Sequence, residues 1–168
     1  MTLRSMNNGN KTKFQMKKAI MKGIIFVIPF VLAYFCSVFL VQVTLIQGDS
    51  MSPAYRDKQF VLLIKYDKTV ERGDVIAFSC EGLKANLIKR IVGVPGDEVV
   101  TEGGVLYVNG EKVKEIGGNA QGEERRSYVV PADCYFVLGD YAEKSVDSRD
   151  PLVGFVPAER IIGKVWER

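Results

Sequence analysis

Gly48-Asp49-Ser50-Met51-Ser52-Pro53 is the stretch at which this chain changes character. Before it the sequence is basic and then apolar; after it, short apolar runs alternate with turns. No charge occurs between Lys22 and Asp49, and the 26 intervening residues are mostly Ile, Val, Phe, Leu and Ala. As a helix rising ~1.5 Å per residue, this run reaches roughly 39 Å, beyond the ~30 Å hydrocarbon core of a bilayer. Pro29, Gln42 and Thr44 are tolerated near the ends of such a helix or in a tilted one. The run is too long for the apolar core of a cleaved signal peptide, and no small-x-small cleavage site follows it. It therefore reads as an uncleaved transmembrane signal anchor over 23–47.

Charge supports that division. Residues 1–48 carry Arg4, Lys11, Lys13, Lys17, Lys18 and Lys22 and no acid, which is +6. The remainder has 17 basic and 20 acidic side chains, so the net charge of +3 hides an acidic domain behind a basic tail. The basic excess is not a nucleic-acid-binding face. It predicts a cytoplasmic tail over 1–22 and an extracytoplasmic domain over 48–168, in the cell membrane with a single pass.

The outer domain reads as many short strands. Apolar, β-branched runs at Gln59–Tyr66, Val75–Phe78, Leu87–Val94, Glu98–Val100, Val105–Val108, Tyr128–Val130, Tyr135–Leu138 and Ile161–Trp166 are separated by turn residues. Asn109-Gly110 is a hairpin signal, with Glu111-Lys112-Val113 returning. Residues 115–127 are Gly-rich and charged and read as a mobile surface loop, and Pro157–Arg160 as one helical turn. The expected fold is mostly β, an antiparallel sandwich or coiled barrel carrying one N-terminal transmembrane helix. Some 120 residues suffice for a core without metal or disulfide support. Cys36, Cys80 and Cys134 read as small buried hydrophobes, although a Cys80–Cys134 pair stays open. No metal-ligand spacing occurs, and no cofactor is expected.

Ser50 becomes a nucleophile only if a neighbour takes its proton. The chain contains no histidine, which excludes a Ser-His-Asp triad. The best remaining base lies in Leu87-Ile88-Lys89-Arg90-Ile91-Val92-Gly93-Val94-Pro95-Gly96-Asp97. In a strand, Leu87, Lys89 and Ile91 share one face, and Ile88, Arg90 and Val92 the other. Keeping a lysine of pKa ~10.4 neutral at pH 7 costs roughly 4.6 kcal/mol. Burial without a carboxylate partner supplies such a shift and makes a usable general base. A lone lysine more often snorkels to solvent. A third stretch, Gly139-Asp140-Tyr141-Ala142-Glu143-Lys144-Ser145-Val146-Asp147-Ser148-Arg149, puts Ser145, Asp147 and Arg149 on one face if extended. Ser145 could then hydrogen-bond the lysine, and Asp147 could pair with Arg149; alone, this stretch reads as a polar surface loop.

Taken together, Gly-Asp-Ser-Met-x-Pro beside an anchor, Lys-Arg-Ile-Val-Gly-Val-Pro-Gly-Asp some forty residues on, and Gly-Asp…Ser-x-Asp-Ser-Arg resemble the bacterial type I signal peptidases. The resemblance covers nearly everything from the anchor to Arg168, and the lysine-containing block is its most specific part. It implies a membrane-bound serine–lysine peptidase that removes signal peptides after small residues. By that match Ser50 is the nucleophile and Lys89 the general base. Ser145 orients Lys89, Asp147 and Arg149 support the wall, and Met51 packs near the substrate groove. The implied partners are the signal peptides of secreted pre-proteins, the lipid bilayer and the secretion translocon, with no nucleic acid.

Two positions depart from the family pattern. Gram-negative members carry a serine at the position of Gly48, whose hydroxyl helps hold the oxyanion, so only the Ser50 N–H remains as a donor legible here. The usual Gly-Asp-Asn is Gly-Asp-Tyr, at Tyr141. Gly48, the small size and the single anchor look more like the Gram-positive enzymes. Two rival readings are a repressor-type Ser-Lys autoprotease and a membrane-tethered β domain that only binds. The first calls for a DNA-binding domain in place of the anchor; the second gives Ser50 and Lys89 no reason to occur in these contexts.

Overall fold

The computed structural model describes residues 3–66, 69–117 and 124–167. It divides into two units, Met1–Leu40 and Val41–Arg168. The first is a single helix, α1 (Leu3–Phe39). Its segment Lys13–Cys36 has a mean hydropathy of 2.2 and is long and apolar enough to cross a membrane. Phe26, Phe30, Val31 and Tyr34 are all more than half exposed. Such a continuous apolar surface calls for lipid rather than water.

The second unit holds eleven strands among the described residues: β1 (Val41–Leu45), β2 (Phe60–Ile64), β3 (Val75–Cys80), β4 (Ala85–Gly93), β5 (Glu98–Glu102), β6 (Val105–Val108), β7 (Glu111–Glu115), β8 (Arg126–Val129), β9 (Cys134–Leu138), β10 (Val156–Pro157) and β11 (Ile161–Val165). They form a seven-stranded sheet in the order β1-β2-β11-β3-β4-β9-β10 and a four-stranded sheet in the order β7-β6-β5-β8. Every pairing is antiparallel. The fold is therefore mostly antiparallel β with one N-terminal apolar helix.

Burial follows from the two-residue period of a strand. Along β3, Val75 and Ala77 pack into a cluster with Ile46, Met51, Tyr55 and Leu63. The alternate residues Ile76, Phe78 and Cys80 join Ile91, Val137 and Ile161 on the other face. β3 is thus covered on both sides, which explains its nearly unbroken apolar run. A third cluster, including Val99, Leu106, Phe136 and Leu138, joins strands of the small sheet to β9. In the β6–β7 hairpin, Asn109 and Gly110 have φ of 51° and 82°, as a type I′ turn requires.

Three differences from the sequence reading concern local structure. The apolar run does not stay helical to residue 47: α1 ends at Phe39, and Val41–Leu45 pairs with Phe60–Ile64 as β1. Its alternation of β-branched and polar residues suits a strand edge better than a helix. Cys36 is exposed rather than buried, Cys80 is buried, Cys134 is half-buried, and all three are free thiols. The surface loop expected over 115–127 is β strand at its two ends, and residues 118–123 lie outside the described residues.

Candidate active site

Ser50 lies in the turn-rich segment between β1 and β2, and Lys89 lies within β4. The β3–β4 register sets Lys89 opposite Ile76, which is fully buried. Lys89 is itself only 4% exposed, and its Nζ is 2.6 Å from Ser50 Oγ, within hydrogen-bonding distance. Burial pushes the Lys89 amine below the ordinary lysine range, while the nearby charges of Asp147 and Asp140 pull it partly back. Both residues line a cleft of about 430 Å³, together with Met51, Leu45, Ala77 and Ile88. Met51 is 1% exposed and also belongs to the core, so the cleft wall and the core share a side chain.

The segment after β9 closes around Ser50. Tyr141 N–H donates to the Ser50 carbonyl at 2.9 Å. That contact is made by the backbone N–H, so any residue but proline can supply it. A Cβ on Gly139 would come within 2.6 Å of the Ser50 carbonyl oxygen and 2.3 Å of Ser145 Oγ, so only glycine fits. Asp140 is bound side-on by Arg90, with Nε at 2.9 Å from Oδ1 and Nη2 at 2.8 Å from Oδ2. Arg90 also donates to the Gly73 carbonyl and, at 3.3 Å, to Glu167, which accepts from the Tyr55 hydroxyl at 2.7 Å. Lys114 of β7 donates to the carbonyls of Gly139 and Asp140.

Asp147 is 1% exposed and forms a forked pair with Arg149, whose Nε and Nη2 lie at 2.8 and 3.0 Å. Its second oxygen accepts from Gly139 N–H at 3.2 Å, which ties the pair to the turn beside Ser50. Ser145 departs from expectation. The segment Ser145–Arg149 is not a strand: a 3-10 turn over Ala142–Lys144 precedes it, and Asp150 N–H closes a further turn onto Asp147. Ser145 Oγ is buried against Gly139 with no hydrogen-bond partner, so the expected bond to Lys89 is not formed. Ser148, which the sequence reading passed over, is buried and exchanges two bonds with Val137.

Gly48 adopts a φ of +87° and its N–H donates to Asp57 at 2.7 Å. The left-handed backbone there favours glycine over serine. Sequence reasoning also missed Lys114, Tyr55 and Glu167. Asp140 stood inside a quoted motif, but only the β4–β9 register, with Arg90 opposite Leu138, shows its partner. Among the described residues, no group of His, Cys, Asp or Glu is arranged to hold a metal ion.

The family described as signal peptidase, peptidase S26, matches residues 17–168. Signal peptidase I of Bacillus licheniformis is 30% identical over 177 residues, covering 97% of this chain and 91% of that protein. Signal peptidase IB of Staphylococcus aureus (strain COL) is 34% identical over 174 residues, covering 89% of each. A crystal structure of a signal peptidase I from Enterococcus faecalis V583 aligns with 59% of this chain and 97% of its own, at 29% identity and a TM-score of 0.49. With a family match over almost the whole sequence and relatives of this identity and coverage, the chain belongs to the S26 family of signal peptidases.

Proposed function

We propose that this chain cleaves signal peptides from exported pre-proteins with Ser50 as nucleophile and Lys89 as general base, passing through an acyl-enzyme. The observation that carries this reading is the 2.6 Å approach of Lys89 Nζ to Ser50 Oγ in a buried setting. A depressed amine pKa supplies the neutral base the step requires. Ser50 Oγ attacks the scissile carbonyl carbon, and its proton passes to Lys89 Nζ. The C–N bond then breaks as the ammonium returns that proton to the leaving amine. Water attacks the resulting ester, giving a proton to Lys89, which hands it back to Ser50. The Ser50 backbone N–H serves as a donor to the developing oxyanion.

Strand order suggests how the substrate lies. Among the described residues, β4 pairs with β9 from Arg90 onward and β1 pairs with β2 alone. This leaves Ala85–Lys89 and β1 each with an unpaired edge, and residues of both line the cleft. Four antiparallel steps separate β1 from β4, so the two edges run in the same direction. A peptide whose cut carbonyl sits at Ser50 and whose N-terminal part fills the cleft runs parallel to both. Such an added strand is held by main-chain bonds, which any peptide sequence without proline at the bonded positions can make.

The basic part of the chain up to Lys22 lies on the cytoplasmic side, the apolar part of α1 that follows it crosses the bilayer once, and the β unit works outside, where lipid and the secretion translocon deliver the pre-protein. Confining enzyme and substrate to one surface raises their effective concentration. Purified protein and one test pre-protein, with the cut read by mass spectrometry, test the reading. Ser50→Ala, Lys89→Ala and Lys89→Arg should all be inactive, the last because guanidinium stays protonated. Cleavage by Lys89→Arg near the wild-type rate overturns the mechanism. Digestion of the β unit by protease added to wall-less cells tests the orientation, and its protection overturns it.

A further inference from the structure

Lys114 behaves unlike its neighbours. Glu111, Lys112, Val113 and Glu115 of β7 are exposed, and Lys112 makes an ordinary surface pair with Glu115. Lys114 is half-buried and turns its amine onto two main-chain carbonyls, Gly139 O at 3.4 Å and Asp140 O. The Asp140 carboxylate, an obvious partner for a cation, is instead bound by Arg90. A lysine on a sheet-edge strand ordinarily extends its head into water. Desolvating an amine against carbonyls alone calls for a structural return.

The carbonyls it holds belong to the turn that touches Ser50. Within three residues, Gly139 N–H donates to Asp147, the Asp140 side chain takes Arg90, and Tyr141 N–H donates to the Ser50 carbonyl. Those bonds tie the turn to β4 of the large sheet, to the segment between β1 and β2, and to the loop after β9. Among the described hydrogen bonds of this turn, those of Lys114 alone reach it from the four-stranded sheet. We propose that Lys114 is a positioning residue for cleavage: it clamps the Gly139–Asp140 turn to β7 and so keeps Ser50 in register with Lys89. This rests on the reading of Ser50 and Lys89 given above.

Three variants of the full chain test it against a pre-protein: Lys114→Met, which keeps length without donors; Lys114→Arg, which keeps donors and charge; and Lys114→Gln, which keeps donors alone. Rates are normalised to the folded fraction from near-ultraviolet circular dichroism. Lys114→Met should lower kcat by about 10- to 100-fold, in line with a displacement of up to ~1 Å at a reacting group. Its KM should stay within about twofold, since the cleft is untouched, and Lys114→Arg should recover most of kcat. If Lys114→Met fails to fold, Lys114→Leu, which also lacks donors, takes its place under the same criteria. A wild-type kcat overturns the proposal, as does a loss that tracks the folded fraction and is not recovered by Lys114→Arg. Ser50→Ala and Lys89→Ala run alongside: activity in those overturns the underlying mechanism, whereas inactivity there with a fully active Lys114→Met overturns only the role of Lys114.

Discussion

Gly139→Ala is the smallest change that bears on the placement of Ser50. The added methyl would meet Ser145 Oγ at 2.3 Å, Ser145 Cβ at 2.5 Å and the Ser50 carbonyl oxygen at 2.6 Å. Ordinary contact begins near 3.5 Å, so these atoms must retreat by about 1 Å. The Ser50 oxygen is main chain and is also held by Tyr141 N–H, so it cannot swing aside as a side chain can. Overpacking of this kind costs about 1–3 kcal/mol of stability. A ~1 Å misplacement of a reacting group costs about 100-fold in rate, or ~2.7 kcal/mol of activation free energy. We expect a folded, modestly destabilised variant with kcat near 1% of wild type. Gly103→Ala is the matched control: its methyl meets nothing within 4 Å, but its φ of +56° makes it strained, and it lies between β5 and β6. It should lower the melting temperature without lowering kcat per folded molecule. Both are measured by cleavage of a detergent-solubilised pre-protein alongside thermal unfolding. If Gly139→Ala turns over at the wild-type rate, the close packing of Gly139 on Ser50 has no bearing on catalysis.

Three further outcomes follow from the same geometry. Lys89→Met should stabilise the domain at neutral pH, because burial holds the folded-state amine pKa below the ordinary lysine value of 10.5. In the window between the folded pKa and 10.5 the unfolded chain binds more protons, so wild-type stability rises with pH and the advantage of Lys89→Met shrinks. Urea melts at several pH values check this, and a gap that widens toward pH 10 contradicts it. Gly48→Ser finds open space for its Cβ, but the φ of +87° makes it strained, at about 1–3 kcal/mol; a melting temperature equal to or above wild type would refute this. Arg149→Ala leaves the Asp147 charge uncompensated near Lys89, which favours the ammonium and should move the acid limb of kcat/KM upward in pH; an unshifted limb counts against that coupling.

How much of this was legible in the sequence depended on the range of each interaction. The apolar run, the β5–β6 and β6–β7 hairpins and the doubly buried β3 are local patterns, and composition reveals them. Ser50 and Lys89 stand out only when the three motifs are read together with the family they resemble, since a lone lysine more often snorkels to solvent. β1 was not, since no turn residue separates Phe39 from Val41 and apolar composition alone cannot distinguish a strand from the end of a helix. The packing of Ser145 Oγ against Gly139, with no hydrogen-bond partner, follows a 3-10 turn that no capping residue announces. The Arg90–Asp140 pair and the reach of Lys114 depend on strand register and on how two sheets meet, neither of which a linear pattern encodes.

The charges around Lys89 resolve an apparent conflict in the site. A general base needs an amine that gives up its proton readily, and a buried amine beside two carboxylates, Asp147 and Asp140, holds it instead. Each of those carboxylates is engaged by a forked arginine, Asp147 by Arg149 and Asp140 by Arg90. The four groups form two internally neutral pairs, so the field at Lys89 is that of dipoles rather than of two bare anions, and burial decides the direction of the shift. The same carboxylates anchor the turn that holds Ser50, Asp147 by accepting from Gly139 N–H and Asp140 by its forked bond to Arg90 of β4. Neutral residues at 140 and 147 would also spare the amine, but they would lose the forked, charge-assisted bonds that order this segment. Carboxylate–arginine pairs therefore satisfy both demands, a rigid frame for the nucleophile and a base that stays neutral enough to act.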